Sequence, residues 1–66
     1  MKSYSSREVI AMLKADGWYL HTIEGSHHHF KHDEKPGKVT VKYPCKDIPP
    51  KTLRSIEIQS GLEFPR

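Results

Sequence analysis

Apolar residues recur along the chain in two rhythms, and each rhythm predicts its own elements. Val9, Ile10, Met12 and Leu13 lie on one stripe at helical spacing, preceded by Ser5-Ser6-Arg7-Glu8 and followed by Gly17. Ser5 and Glu8 are spaced for a capping box: the Ser5 hydroxyl accepts from the Glu8 amide and the Glu8 carboxylate reaches back to the Ser5 amide. Tyr4 and Val9 stand at the staple positions around that cap, and Gly17 supplies a left-handed stop. A first helix is expected over about residues 6 to 16. Trp18 to Glu24 is aromatic and β-branched without Pro or Gly, which predicts a strand with Trp18, Leu20 and Thr22 on one face. Gly25-Ser26 reads as a tight turn, so His27 to His32 returns as an antiparallel strand. After a polar turn from Asp33 to Gly37, Lys38 to Tyr43 alternates as a third strand with Val39, Val41 and Tyr43 towards the core. Pro44 to Pro50 connects to a second helix that opens at Pro49-Pro50, buries Leu53 and Ile56, and stops before Gly61, with Leu62 packing after the stop. Glu63 to Arg66 reads as a short tail.

The order α-β-β-β-α predicts an α+β fold: one three-stranded antiparallel sheet with two helices on one face and the other face open. This is the order of a double-stranded-RNA-binding domain, and the whole chain, residues 1 to 66, reads as one domain. Alternation in the second strand separates Ser26, His28 and Phe30 from His27, His29 and Lys31. Phe30 needs a core, which draws His28 with it and leaves His27, His29 and Lys31 on the open face. Lys38, Thr40 and Lys42 of the third strand share that face if both strands belong to one sheet.

Composition narrows the setting. A single cysteine, Cys45, excludes an intrachain disulfide and fits a reducing, cytoplasmic location. No apolar run is long enough to span a membrane, and the first residues lack the layout of a secretory signal. The formal charge of +3, with five histidines that protonate partly near neutral pH, permits a nucleic-acid partner. On charge alone a solubilising basic surface reads equally well.

Four of the five histidines fall within Gly25-Ser26-His27-His28-His29-Phe30-Lys31-His32. Together with Asp16-Gly17-Trp18, Lys38-Val39-Thr40-Val41, Pro44, Lys46-Asp47-Ile48-Pro49, Thr52-Leu53-Arg54-Ser55-Ile56 and Ser60-Gly61-Leu62, this stretch resembles the HicA family of bacterial mRNA-interferase toxins over nearly the whole chain. The resemblance implies a double-stranded-RNA-binding-domain-like fold, a ribonuclease that cleaves mRNA, and a HicB-type antitoxin that covers the active histidine. By position, the family's catalytic histidine falls on His27, with Gly25 shaping the turn beneath it. His28 is a rival, because some members carry their histidine at the next position. Tyr43 stands where many members have histidine before the proline.

The chemistry asks for little more than this stretch carries. RNA brings its own nucleophile, so a histidine at His27 could take the 2′-hydroxyl proton. Lys31, Lys42 or the amides of Gly25 and Ser26 could stabilise charge on the phosphate, and His29 or a water could protonate the leaving oxygen. This route needs no metal or other cofactor. Lys38 and Lys42, with Lys46, Lys51 and Arg54, could contact the backbone of single-stranded RNA, or be ordinary solvated charges. A zinc site at His27, His29 and His32 would require convergence of three or four ligands. The competing function is a non-catalytic RNA- or DNA-binding module that uses the same basic face.

Overall fold

Strand β2 is the middle of the sheet, and its neighbours form around it. The computed structural model describes residues 3–65, in the order α1 (Ser6–Ala15), β1 (Tyr19–Glu24), β2 (His27–Lys31), β3 (Val39–Lys42) and α2 (Pro50–Ser60). The sheet runs β1-β2-β3 with both pairings antiparallel, and with the two helices it makes the expected α+β, double-stranded-RNA-binding-domain-like fold.

Helix α1 begins with the predicted capping box: the Glu8 amide donates to Ser5 Oγ at 3.2 Å and the Ser5 amide donates to Glu8 Oε1 at 3.0 Å. It ends in a Schellman arrangement, with Gly17 N–H donating to the Lys14 carbonyl and Trp18 N–H to the Leu13 carbonyl, both at 3.0 Å. Gly17 holds φ +99°, and a Cβ there would lie 2.8 Å from His32 Nε2. Both backbone geometry and space therefore require glycine at this position.

The strands depart from the sequence reading in three places. Leu20 pairs with Phe30 but Thr22 pairs with His29, so His21 is an extra residue, a β-bulge. The bulge reverses the alternation: Leu20 and Ile23 lie on the helix side with Phe30 and His28, while Thr22 and Glu24 join the open face, so Thr22 does not share a face with Leu20. Strand β2 stops at Lys31, because His32 turns aside to pack edge-on against Trp18 with ring centroids 5.2 Å apart. Its Nε2–H donates to the Asp16 carbonyl at 2.7 Å, and its Nδ1 accepts from the Glu34 and Lys35 amides. Tyr43, expected in the core, lies beyond β3 at 38 % exposure.

Val9, Leu13, Trp18, Phe30, Val39, Val41, Leu53 and Ile56 make the core, with Tyr4, Ile48 and Phe64 closing it. Phe64 overturns the reading of the C-terminal stretch as a mere tail: its ring is buried against Tyr4, and its amide donates to the buried Glu57 carboxylate at 2.7 Å. Arg66 lies outside the described residues.

Lys35 ties the two helix ends together. Its Nζ meets Asp16 Oδ2 at 2.5 Å and donates to the Ser60 carbonyl at 3.1 Å, the favourable place for a cation at a helix C-terminus. The Lys35 hydrogen bond, and then its charge, hold the Asp16 carboxyl below the usual carboxylate range against a desolvation effect, with smaller help from the Trp18 indole and His32. A carboxyl whose folded-state pKa is lowered contributes stability above its unfolded value, about 3.9, and loses it as pH falls through the folded value.

Thermal melts should therefore show Lys35→Met below the native protein at pH 7, with the gap narrowing below about pH 3.9 as Asp16 protonates. A gap that is the same at both ends would remove Asp16 from the account. Gly17→Ala should cost about 1–3 kcal/mol in urea unfolding, and an unchanged midpoint would contradict the contact with His32.

Candidate functional site

The Gly25-Ser26 turn sets the geometry of the open face. Gly25 carries φ +59°, no other residue type takes positive φ among the described residues, and glycine in the first turn position suits a two-residue hairpin. Glu24 then pairs with His27, and β3 adds Lys42, whose register partner is also His27. The Tyr43 amide donates to the Ser26 carbonyl at 2.7 Å and anchors the turn to the end of β3. One row across the open face thus reads Glu24, His27, Lys42, and the next reads Thr22, His29, Thr40.

The three consecutive histidines are placed in three different environments. His27 is exposed, and its ring makes no hydrogen bond or ion pair with a described residue. Alternation puts His28 on the helix side, half-buried, with its ring 5.0 Å from that of Tyr43. There it lines a groove of about 380 Å³ with Arg7, Ile10, Lys14, Leu20 and Tyr43. His29 shares the face of His27 but is only 7 % exposed. Its Nε2 donates to Glu24 Oε1 at 2.7 Å and its Nδ1 meets the Thr40 hydroxyl at 2.8 Å. The expectation of an open, available His29 is thereby corrected: both ring nitrogens are occupied.

The cations divide likewise. Lys42 stands beside His27 in register; Lys31 ends β2 exposed on the same face; Lys38 precedes β3, outside the ladder. None of the three forms an ion pair with a described residue. His27, His29 and His32 do not converge, since His32 is drawn to Trp18 and Asp16, and no group of three or more metal-ligating side chains occurs among the described residues. Cys45 is a half-buried thiol whose amide donates to Ser6 Oγ.

Glu24 and Thr40 are the polar partners that sequence reasoning passed over. Glu24 was legible, because the last residue before a two-residue turn pairs with the first one after it. Thr40 was not, because its partner depends on the register of β3.

A family profile described as HicA toxin of bacterial toxin-antitoxin matches residues 6–62. The chain belongs to this family. It is accordingly the toxin of a bacterial toxin–antitoxin system. No curated protein matches it. The matched span runs from the first turn of α1 past the α2 stop and takes in the whole sheet, so the toxin's histidine row lies inside the family domain. No helix among the toxin's described residues is long and apolar enough to cross a membrane.

In the toxin, His27→Ala should alter unfolding free energy by less than about 0.5 kcal/mol, as expected for an exposed residue without side-chain partners. His29→Ala should cost roughly 1–3 kcal/mol by leaving Thr40 and Glu24 without their partner. Urea denaturation compares the two, and equal costs would contradict the distinction between an available and an engaged histidine.

Proposed function

We propose that the toxin is a metal-independent endoribonuclease that cleaves single-stranded mRNA in the cytoplasm with His27 as general base. The observation that carries this reading is the exposed, unengaged imidazole of His27 at the Gly25-Ser26 turn, with Lys42 beside it across the ladder. An open sheet face suits an extended strand of RNA, whose phosphates Lys31, Lys38 and Lys42 can meet.

His27 takes the proton of a ribose 2′-hydroxyl, and the 2′ oxygen attacks the adjacent phosphorus. The new O2′–P bond forms as the P–O5′ bond breaks, leaving a 2′,3′-cyclic phosphate and a 5′ oxygen that collects a proton. Lys42 and the amides at Gly25 and Ser26 offset the charge that builds on the phosphate oxygens. His29, a candidate donor for the leaving oxygen, has its Nε2 proton committed to Glu24, so water supplies that proton. His28, the rival base, faces the groove on the helix side, away from Lys42.

A HicB-type antitoxin that buries the histidine face would inhibit the toxin by excluding RNA from His27. Substitution of Lys31 and Lys42 should then weaken the complex, and an unchanged affinity together with cleavage by the complex would exclude this mode.

Cleavage of a single-stranded RNA by purified protein, in EDTA, tests the reaction. Native toxin should cut, and His27→Ala should lose about 10²–10⁴-fold in rate with little loss of RNA binding. Lys42→Ala should weaken binding and flatten its salt dependence by roughly 0.7 in log–log slope. Equal cleavage by native and His27→Ala protein would sink the assignment, dependence on a divalent ion would exclude the metal-free route, and binding without cutting would mark a non-catalytic RNA-binding module.

A further inference from the structure

We infer that Glu24, held beside His27 by His29, is the positioning residue that orients the His27 ring; its consequence for cleavage rests on the reading of His27 as the base. The support is a hydrogen-bonded chain across the open face. The Thr40 hydroxyl meets His29 Nδ1 at 2.8 Å, and His29 Nε2 meets Glu24 Oε1 at 2.7 Å. A carboxylate only accepts, so Nε2 carries a proton, while a hydroxyl can donate or accept and satisfies Nδ1 in either state of the ring.

The chain joins opposites in burial. The His29 side chain is 9 % exposed and the Glu24 side chain 75 %. An exposed glutamate ordinarily samples many rotamers, and here a buried imidazole fixes one oxygen of it. Packing between Thr22 and Thr40 would be served by a β-branched apolar residue at position 29, with no buried polar group to satisfy. The imidazole instead delivers a proton to an exposed carboxylate, which is the role of a positioning group.

That carboxylate belongs to the register partner of His27, so the two Cβ atoms lie on one side of the sheet about 5 Å apart. Its second oxygen, Oε2, makes no hydrogen bond to a described residue and is available to accept from a ring nitrogen of His27. The titratable and charged groups that face His27 are Glu24 from β1, His29 and Lys31 from its own strand, and Lys42 from β3, with both helices on the other side of the sheet. An acceptor on one ring nitrogen turns the other towards the substrate, the arrangement that histidine bases use.

Two measurements on the full chain test the inference. In the first, the ring nitrogen resonances of His27 are compared by NMR at alkaline pH in the native protein and Glu24→Gln. Gln keeps an oxygen acceptor for His29 Nε2, so the fold is retained, but its second terminal atom is a donor and no longer accepts from His27. The balance of the two His27 tautomers should therefore differ between the two proteins. In the second, steady-state RNA cleavage by Glu24→Gln should lose kcat several-fold with KM unchanged. Unchanged His27 ring resonances in Glu24→Gln overturn the inference whatever happens to cleavage. The expected change in a protein that leaves RNA intact upholds the positioning of His27 by Glu24 and removes only the catalytic reading.

Discussion

Everything on the open face follows from the burial of one ring. Phe30, 1 % exposed, is the aromatic of the central strand, and β2 pairs with both other strands. Because side chains alternate, a buried Phe30 commits His28 to the helix side and places His27 and His29 on the other. A slip of one residue would exchange those roles and drive a lysine and two histidines into the core, so the apolar contacts of Phe30 with its neighbours specify register strongly. The site is thus a by-product of core packing in the strand that carries it.

That core is small, and hydrogen bonds at its margins help to hold it. Without a disulfide, the ends of α1 and α2 are joined through Lys35, which serves the Asp16 carboxylate and the Ser60 carbonyl together. The start of α1 is joined to the loop after β3 by a two-way exchange, in which the Ser6 amide donates to the Cys45 carbonyl at 2.8 Å and the Cys45 amide donates to Ser6 Oγ at 2.9 Å. His32 gives up its strand position to satisfy the Asp16 carbonyl and two turn amides. Of the four clustered histidines, one is therefore a brace of the fold, one faces the groove, one is a hydrogen-bonded relay, and one is left with its ring available.

The bulge at His21 reconciles two demands that cannot both be met by regular pairing. The two-residue turn requires Thr22 and Glu24 to share the face of His29 and His27. Strict alternation would then put Leu20 on the open face as well. One extra residue returns Leu20 to the helix side, where it pairs with Phe30. The conflict was present in the sequence, since a polar-out register at the turn and an apolar-in register at Leu20 differ in parity. Its resolution at His21 in particular was not.

The sequence alone determined the element order, the capping box at Ser5 and Glu8, the glycine stops, and the separation of His27 and His29 from His28 and Phe30, because each is dictated by local backbone geometry or by strand parity. It also carried the family resemblance that the profile match bears out. Tertiary structure decided what local rules leave open. Three strands had to meet in one register before His29 could find Thr40 on one side and Glu24 on the other, and before Lys42 could stand beside His27. Phe64 joined the core only because the chain after Gly61 folds back over Tyr4. Exposure of one histidine and engagement of its neighbour two residues on is a difference in partners, and partners distant in sequence are brought together only by the fold.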